Sequence, residues 1–183
     1  DDLTVRVVLG PQDDEFSESG IKTFLSSTYV VSDQSNRQGL RLQGSAIESR
    51  NGRYDIVSDA VVNGSIQVPG DGNPIILLAD RQTTGGYIKI ATVASVDIPK
   101  LGQACPGSQI SFSAVSVEES QQLFIERQKK LSTSIIEPVG DQVFLRVDDT
   151  DISVGMVVSG SAQIAVLDGI AYPIVVDQII PDE

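Results

Sequence analysis

The stretch Gly64-Ser65-Ile66-Gln67-Val68-Pro69-Gly70-Asp71-Gly72-Asn73-Pro74-Ile75-Ile76-Leu77-Leu78-Ala79-Asp80-Arg81-Gln82-Thr83-Thr84-Gly85-Gly86-Tyr87-Ile88-Lys89-Ile90-Ala91-Thr92-Val93 decides how the rest of the chain is read. Ser65–Val68 is a short strand. Pro69–Pro74 holds only Pro, Gly, Asp and Asn, the residues of a turn. Ile75–Ala79 is wholly apolar and short, as in a strand buried on both faces. Tyr87–Ser95 is rich in Ile, Val and Thr and forms the next strand. Short strands joined by turn clusters point to a mainly-β fold.

The same texture continues outward in both directions. Upstream, Thr4–Leu9 is a strand that Gly10-Pro11 breaks. Asp13, Asp14 and Glu15 fit the first turn of a helix, where the dipole favours acids. Phe16, Ile21, Phe24 and Leu25 would form its buried side, although Gly20 weakens it. Ser26–Ser32 is a strand and Asp33–Gly39 a polar turn. Leu40 and Leu42 alternate with Arg41 and Gln43 in a half-buried strand, and Ser45–Ser58 reads as a loop. Downstream, Pro99 starts a short helix and Gln109–Val115 alternates as a strand. Ser116 and Glu119 form a capping box for a helix to about Leu131. Strand-like runs follow at Gln142–Val147, Ile152–Val158, Ala162–Leu167 and Tyr172–Val176. Asp168-Gly169 marks a hairpin between the last two. Many short strands and about three short helices suit a closed or nearly closed β-barrel with helices at its ends.

Composition narrows the chemistry. The chain has 183 residues, enough for one well-packed domain with a small appendage, and 40% are hydrophobic. No apolar run approaches the roughly 20 residues of a membrane helix. It opens on Asp1-Asp2 and is read as a piece of a longer product. A net charge of −12 opposes nucleic acid and anionic membrane surfaces. The single cysteine, Cys105, excludes an internal disulfide, fits a reducing cytoplasm, and reads as a small buried hydrophobe. Histidine is absent, which removes Ser-His-Asp and Cys-His triads and histidine-based metal sites. No metal site is expected: Asp148-Asp149-Thr150-Asp151 lacks the glycine and closing glutamate of a calcium loop and reads as a turn. No GxxxxGK[ST] or GxGxxG phosphate loop occurs.

The polar segment Asp80–Tyr87 therefore stands out. An apolar strand delivers Asp80, Arg81, Gln82, Thr83 and Thr84 together, and Gly85-Gly86 let backbone approach a ligand. A plain hydrophilic hairpin turn with Asp80 and Arg81 paired on the surface explains the same residues. Gly10–Asp14 is either a second polar cluster or helix capping. Arg37, in Ser35–Gly39, either binds a carboxylate or carbonyl bidentately or is an exposed turn arginine.

Several of these segments resemble one family. Gly10-Pro11-Gln12-Asp13-Asp14 with Phe16, Ser35–Leu42, Gly64–Pro69, Pro74–Ala91, Pro106-Gly107 and Phe112–Glu119 are similar to motifs of the allophanate hydrolase subunit 2 family of biotin-dependent carboxyltransferases. That family includes a subunit of bacterial 5-oxoprolinase, the KipI antagonist KipA and the carboxyltransferase domain of urea amidolyase. The resemblance spans residues 3–131 and matches the family's C-terminal half. Asn36, Gln38 and Ile88 depart from the family's Asp, Met and Pro. Residues 132–183 match no known motif and form a β-rich extension of unassigned role, beyond a carboxyltransferase domain at 1–131.

The resemblance implies a cyclophilin-like β-barrel with a few short flanking helices. It implies that the chain helps move a carboxyl group from carboxybiotin to an amide nitrogen of a small substrate. Biotin would sit on a separate carrier protein or domain, because no lysine here lies in a biotinylation context. The remaining partner would be an N-terminal half or a KipI-like subunit. Arg37, Asp80 and Tyr87 are the expected catalytic residues. Gln12, Gln67, Gln82, Thr83, Thr84, Gly85 and Gly86 are expected to bind substrate or biotin. The alternative is a regulatory protein-binding module of the KipI-antagonist type.

Overall fold

The computed structural model describes residues 2–133, then strand residues 143–147, 150–159, 162–167 and 170–174. The chain divides into two compact units, Asp1–Ile125 and Glu126–Glu183.

The first unit is built on strands β1 (Asp2–Leu9), β2 (Thr28–Val31), β3 (Gly39–Gln43), β4 (Asp55–Ala60), β5 (Ser65–Gln67), β6 (Ile75–Leu77), β7 (Thr84–Tyr87), β8 (Lys89–Val93) and β9 (Gln109–Ala114). Seven of them close a barrel in the order β1-β8-β5-β6-β3-β2-β9. Strand directions cannot alternate around a ring with an odd number of members. One joint must be parallel, and it is β1–β9, registered from Asp2 opposite Gln109 to Val7 opposite Ala114. The barrel is filled by alternate residues of each strand, among them Val5, Val7, Leu40, Leu42, Ile66, Ile76, Ile110 and Phe112. Phe24 stacks on Phe112 with ring centroids 4.4 Å apart, plugging one part of this core. The mainly-β barrel expected from the sequence is thus present.

Helices α1 (Glu18–Ser26) and α2 (Ile98–Leu101) flank it, and α3 (Val117–Thr133) follows β9. The acidic residues do not begin α1. Asp13–Glu15 form a 3-10 turn, and Ser17 caps α1 by accepting from the Gly20 backbone N–H at 3.0 Å. Phe16 separates the two because it is drawn into the core in extended conformation, bridged to Ser49. Gly20 suits the helix: a side chain there would collide with the Glu48 carbonyl, so glycine lets α1 pack on that backbone. The capping box is present in both directions, Ser116 N–H to Glu119 at 2.7 Å and Glu119 N–H to the Ser116 hydroxyl at 3.1 Å.

Asp97 fixes the start of α2 to β1. Its fully buried carboxylate accepts from the Arg6 backbone N–H at 2.9 Å and from the Arg6 guanidinium at 2.8 and 2.7 Å, and pairs with Lys100 at 2.8 Å. Burial alone would raise this carboxyl; the hydrogen bonds from Arg6 and Lys100 outweigh it and hold it well below the carboxylate range.

Three other expectations change. Ser45–Ser58 is not simply a loop: its end is strand β4, which pairs with β7. Tyr87–Ser95 is not one strand: β7 joins β4, β8 joins the barrel, and Ile88 turns the chain between them. Cys105 is exposed, not buried, because it sits in the polar turn after α2.

The second unit contains a four-stranded antiparallel sheet in the order β10 (Val143–Val147), β11 (Thr150–Ser159), β12 (Ala162–Leu167), β13 (Ile170–Ile174). Leu167 faces Ile170 across the β12–β13 pair. The expected turn residues Asp168-Gly169 and Asp148-Asp149, and Gln142, Val175 and Val176 of the expected strands, lie outside the described residues. Among the described residues no helix is long and apolar enough to cross a membrane.

Candidate functional site

The outer face of the barrel carries the candidate site. Leu40, Ile76 and Ile66 lie opposite one another on β3, β6 and β5 and point into the core. The pleat therefore turns their neighbours Arg41, Ile75 and Gln67, also mutually registered, outward. These three form the floor of a groove of about 320 Å³. The loop before β3 walls one side with Gln34, Asn36 and Gln38. The turn after β5 contributes Asp71 and Asn73, and Gln82 and Tyr87 close the far side. The lining is dominated by carboxamides, which offer both donors and acceptors without net charge. Arg41 supplies a cation; among the described residues its guanidinium has no side-chain partner.

The far wall hangs on a two-stranded ribbon, β4 with β7, laid against the outside of the barrel. Gln67 is buried beneath it and donates from Nε2 to the Tyr87 carbonyl at 3.3 Å. Its amide occupies the space that a side chain at position 85 would need, so Gly85 lets the end of the Gln67 side chain keep its place. Gly86 is not so constrained; a methyl there would make an ordinary contact with the Ile56 carbonyl. Beside Gln67 in register stands Lys89, whose side chain is 2% exposed. Its ammonium lies 2.6 Å from the Asp59 carboxylate and donates to the Ala60 carbonyl at 3.1 Å. Hydrogen bonds from Lys89 and the Ala60 backbone N–H hold the Asp59 carboxyl below the usual carboxylate range.

The expected site residues fall into four groups. Gln67, Gln82 and Tyr87 line the groove, with Gly85 and Gly86 in the ribbon behind. Thr84 belongs to β7 and Thr83 accepts from the Val61 backbone N–H through its carbonyl, so both serve the ribbon's edge. Gln12 does not share the groove: its amide accepts from the Lys89 backbone N–H at 3.0 Å and donates to Asp59 at 3.3 Å.

Arg37 and Asp80 are brought together, but with each other. Arg37 Nε lies 2.8 Å from Asp80, with a second contact from Nη2 at 3.3 Å, and the pair is largely exposed. The surface pairing of Asp80 with Arg81 does not occur; Arg81 donates to the Leu78 carbonyl instead. Arg37 borders an apolar hollow lined by Leu40, Leu78, Ile98, Leu101 and Pro106, which shares Asn36 with the groove as a common wall. Asn36 caps its own turn, accepting from the Gln38 backbone N–H at 2.8 Å. Sequence reasoning passed over Gln34, Gln38, Arg41, Gln43 and Asn73. The signal was faint: alternation marks Arg41 and Gln43 as outward, but not what they face.

The chain resembles known proteins. The family described as "Carboxyltransferase domain, subdomain A and B" matches residues 1–114. The chain belongs to that carboxyltransferase family. A 5-oxoprolinase subunit of Escherichia coli is 37% identical over 125 residues, 68% of this chain and 40% of that protein. Urea amidolyase of Saccharomyces cerevisiae is 33% identical over 129 residues, 65% of this chain and 7% of that protein. The crystal structure of Kluyveromyces lactis urea carboxylase shares the fold with a TM-score of 0.68 at 24% identity, covering 90% of this chain and 17% of that one. The family resemblance read from the motifs therefore holds. The chain spans at most 40% of the length of these relatives.

Proposed function

We propose that this chain forms one wall of the active site of a biotin-dependent carboxyltransferase acting on an amide nitrogen, of the urea amidolyase or 5-oxoprolinase type. The observation that carries the reading is the carboxamide-lined groove on the barrel's outer face. A ureido ring and a small amide both present N–H donors beside a carbonyl acceptor, the pattern that Gln and Asn side chains complement. At about 320 Å³ the groove has the size of a small-ligand site. Biotin, carried by another protein or domain, would supply the activated carboxyl group.

The chain's own residues bind and orient. Gln67, already fixed by the Tyr87 carbonyl, keeps its own carbonyl oxygen for a ligand N–H. Gln82 and Tyr87 hold the ligand from the far wall, and Arg41 offers charge-assisted hydrogen bonds to a carboxylate. Holding acceptor and donor in one geometry is a substantial part of such catalysis. The Arg37–Asp80 pair sets the loop that carries Asn36 and Gln38. The active unit would include a further carboxyltransferase half or KipI-like subunit and a biotin carrier, in the cytoplasm.

The test is ATP- and bicarbonate-dependent turnover of 5-oxoproline or urea by the complete complex. Gln82→Ala and Tyr87→Phe should each lower kcat/KM about tenfold, one hydrogen bond's contribution, with the melting temperature unchanged. Arg37→Ala and Asp80→Ala should cost less, also without unfolding. Full turnover in the groove variants would sink the reading.

A further inference from the structure

Lys89 is a cation almost wholly removed from water, yet it lies outside the groove and the mechanism above does not use it. A buried ammonium needs partners for its charge and its donors. Among the described residues Lys89 finds them on β4: the Asp59 carboxylate and the Ala60 carbonyl. Gln12, from the turn after β1, closes the arrangement by bonding the Lys89 backbone with its carbonyl oxygen and Asp59 with its nitrogen. Three segments distant in sequence thus meet in one polar cluster under the ribbon. The cluster is adjacent, through the β5–β8 register, to Gln67. Gln67 in turn holds the Tyr87 carbonyl and fills the space against Gly85.

We propose that Lys89, Asp59 and Gln12 form a latch that fixes the β4–β7 ribbon to the barrel and so sets the position of the groove wall at Gln67, Gln82 and Tyr87. They are positioning residues, acting on the groove through the ribbon. This rests on the groove reading only for its functional consequence; the latch itself is a statement about the ribbon.

The test uses the 183-residue chain in solution and the pair Asp59→Asn and Asp59→Asn/Lys89→Met. Asp59→Asn leaves Lys89 charged and unmatched, whereas the double variant removes the charge and keeps the apolar stem. NMR hydrogen exchange should be faster by tenfold or more at Asp55 and at Thr84–Tyr87, the residues that pair across the ribbon, in Asp59→Asn, with the barrel amides of β1 and β9 unchanged. The Gln67 side-chain amide, a probe of the groove floor, should lose its protection together with the ribbon. Both should recover in the double variant. Ribbon exchange that does not change in Asp59→Asn overturns the latch. Faster ribbon exchange with an undisturbed Gln67 amide overturns its coupling to the groove. Titration with free biotin is a separate arm. Weaker binding in Asp59→Asn and recovery in the double variant extend the latch to function. Absence of binding to the unaltered chain counts against the groove reading, while the exchange arm still decides the latch.

Discussion

The barrel wall and the ribbon laid over it are made by different means. The barrel is a layer of apolar side chains, Val5, Val7, Leu42, Ile66, Ile76 and Phe112 among them, packed without regard to partner identity. The ribbon has few such contacts: Asp55, Val57, Asp59 and Ala60 are all exposed along β4. It is held by named polar pairs, Lys89 with Asp59 and Gln67 with the Tyr87 carbonyl, and by one close glycine approach at Gly85. Hydrophobic burial tolerates exchange of one apolar residue for another of similar size. A polar junction does not, because each member left alone keeps its desolvation cost. The groove lies where the two constructions meet, so it inherits rigidity from one and specificity from the other.

Substitutions can break this contrast at graded strength. Phe112→Ala should cost most, about 3–5 kcal/mol, since it empties the stack with Phe24 inside the barrel. Urea unfolding would measure it. Asp97→Asn should cost about 2–3 kcal/mol near neutral pH by breaking charged hydrogen bonds to Arg6 and Lys100. The Asp97 carboxyl titrates lower in the folded chain than in the unfolded one. Its contribution is therefore complete above the unfolded value of about 4 and fades as pH falls below it, through the folded value. Stability curves of the two proteins should converge in acid. A gap that widened in acid would contradict the assignment.

Gly85→Ala should cost about 1 kcal/mol by pushing the end of the Gln67 side chain aside, and should change the Gln67 side-chain resonance. Gly86→Ala, next to it, should stay within about 0.5 kcal/mol, since its contact is ordinary. Equal effects at the two glycines would erase the distinction between the ribbon's tight and loose points. Arg37→Ala should likewise change stability little, by less than about 1 kcal/mol, because its ion pair with Asp80 is exposed.

The same contrast explains what could be read from the chain. Barrel strands declare themselves by alternation or by apolar runs, as at Leu40-Arg41-Leu42 and Ile75–Leu77, and turns by Gly and Pro. The capping box of α3 needs only local contacts and was equally legible. The ribbon was not. Asp55–Ala60 reads Asp-Ile-Val-Ser-Asp-Ala, with no clean period, and becomes a strand because β7 and Lys89 hold it. Asp13–Glu15 looked like a helix start, yet burial of Phe16 moved the start to Ser17. Of the expected site residues, Gln67, Gln82 and Tyr87 sit together because strand register brings them there. Gln12 and the Arg37–Asp80 pair stand elsewhere because polar partners far along the chain claim them. Motifs mark which residues matter; only the register says which of them meet.

The parallel seam of the barrel has a consequence in time. Thr4 and Ser111, hydrogen-bonded across β1 and β9, are 107 residues apart. Every other joint of the ring can form between antiparallel strands, but the ring cannot shut until β9 has left the ribosome and found β1. Folding of such long-range strand pairs proceeds on the order of milliseconds to seconds. Until then β1, the first strand of the barrel in chain order, waits with one edge bare, and a chain cut between β1 and β9 would be left an open sheet with its aromatic plug Phe112 missing.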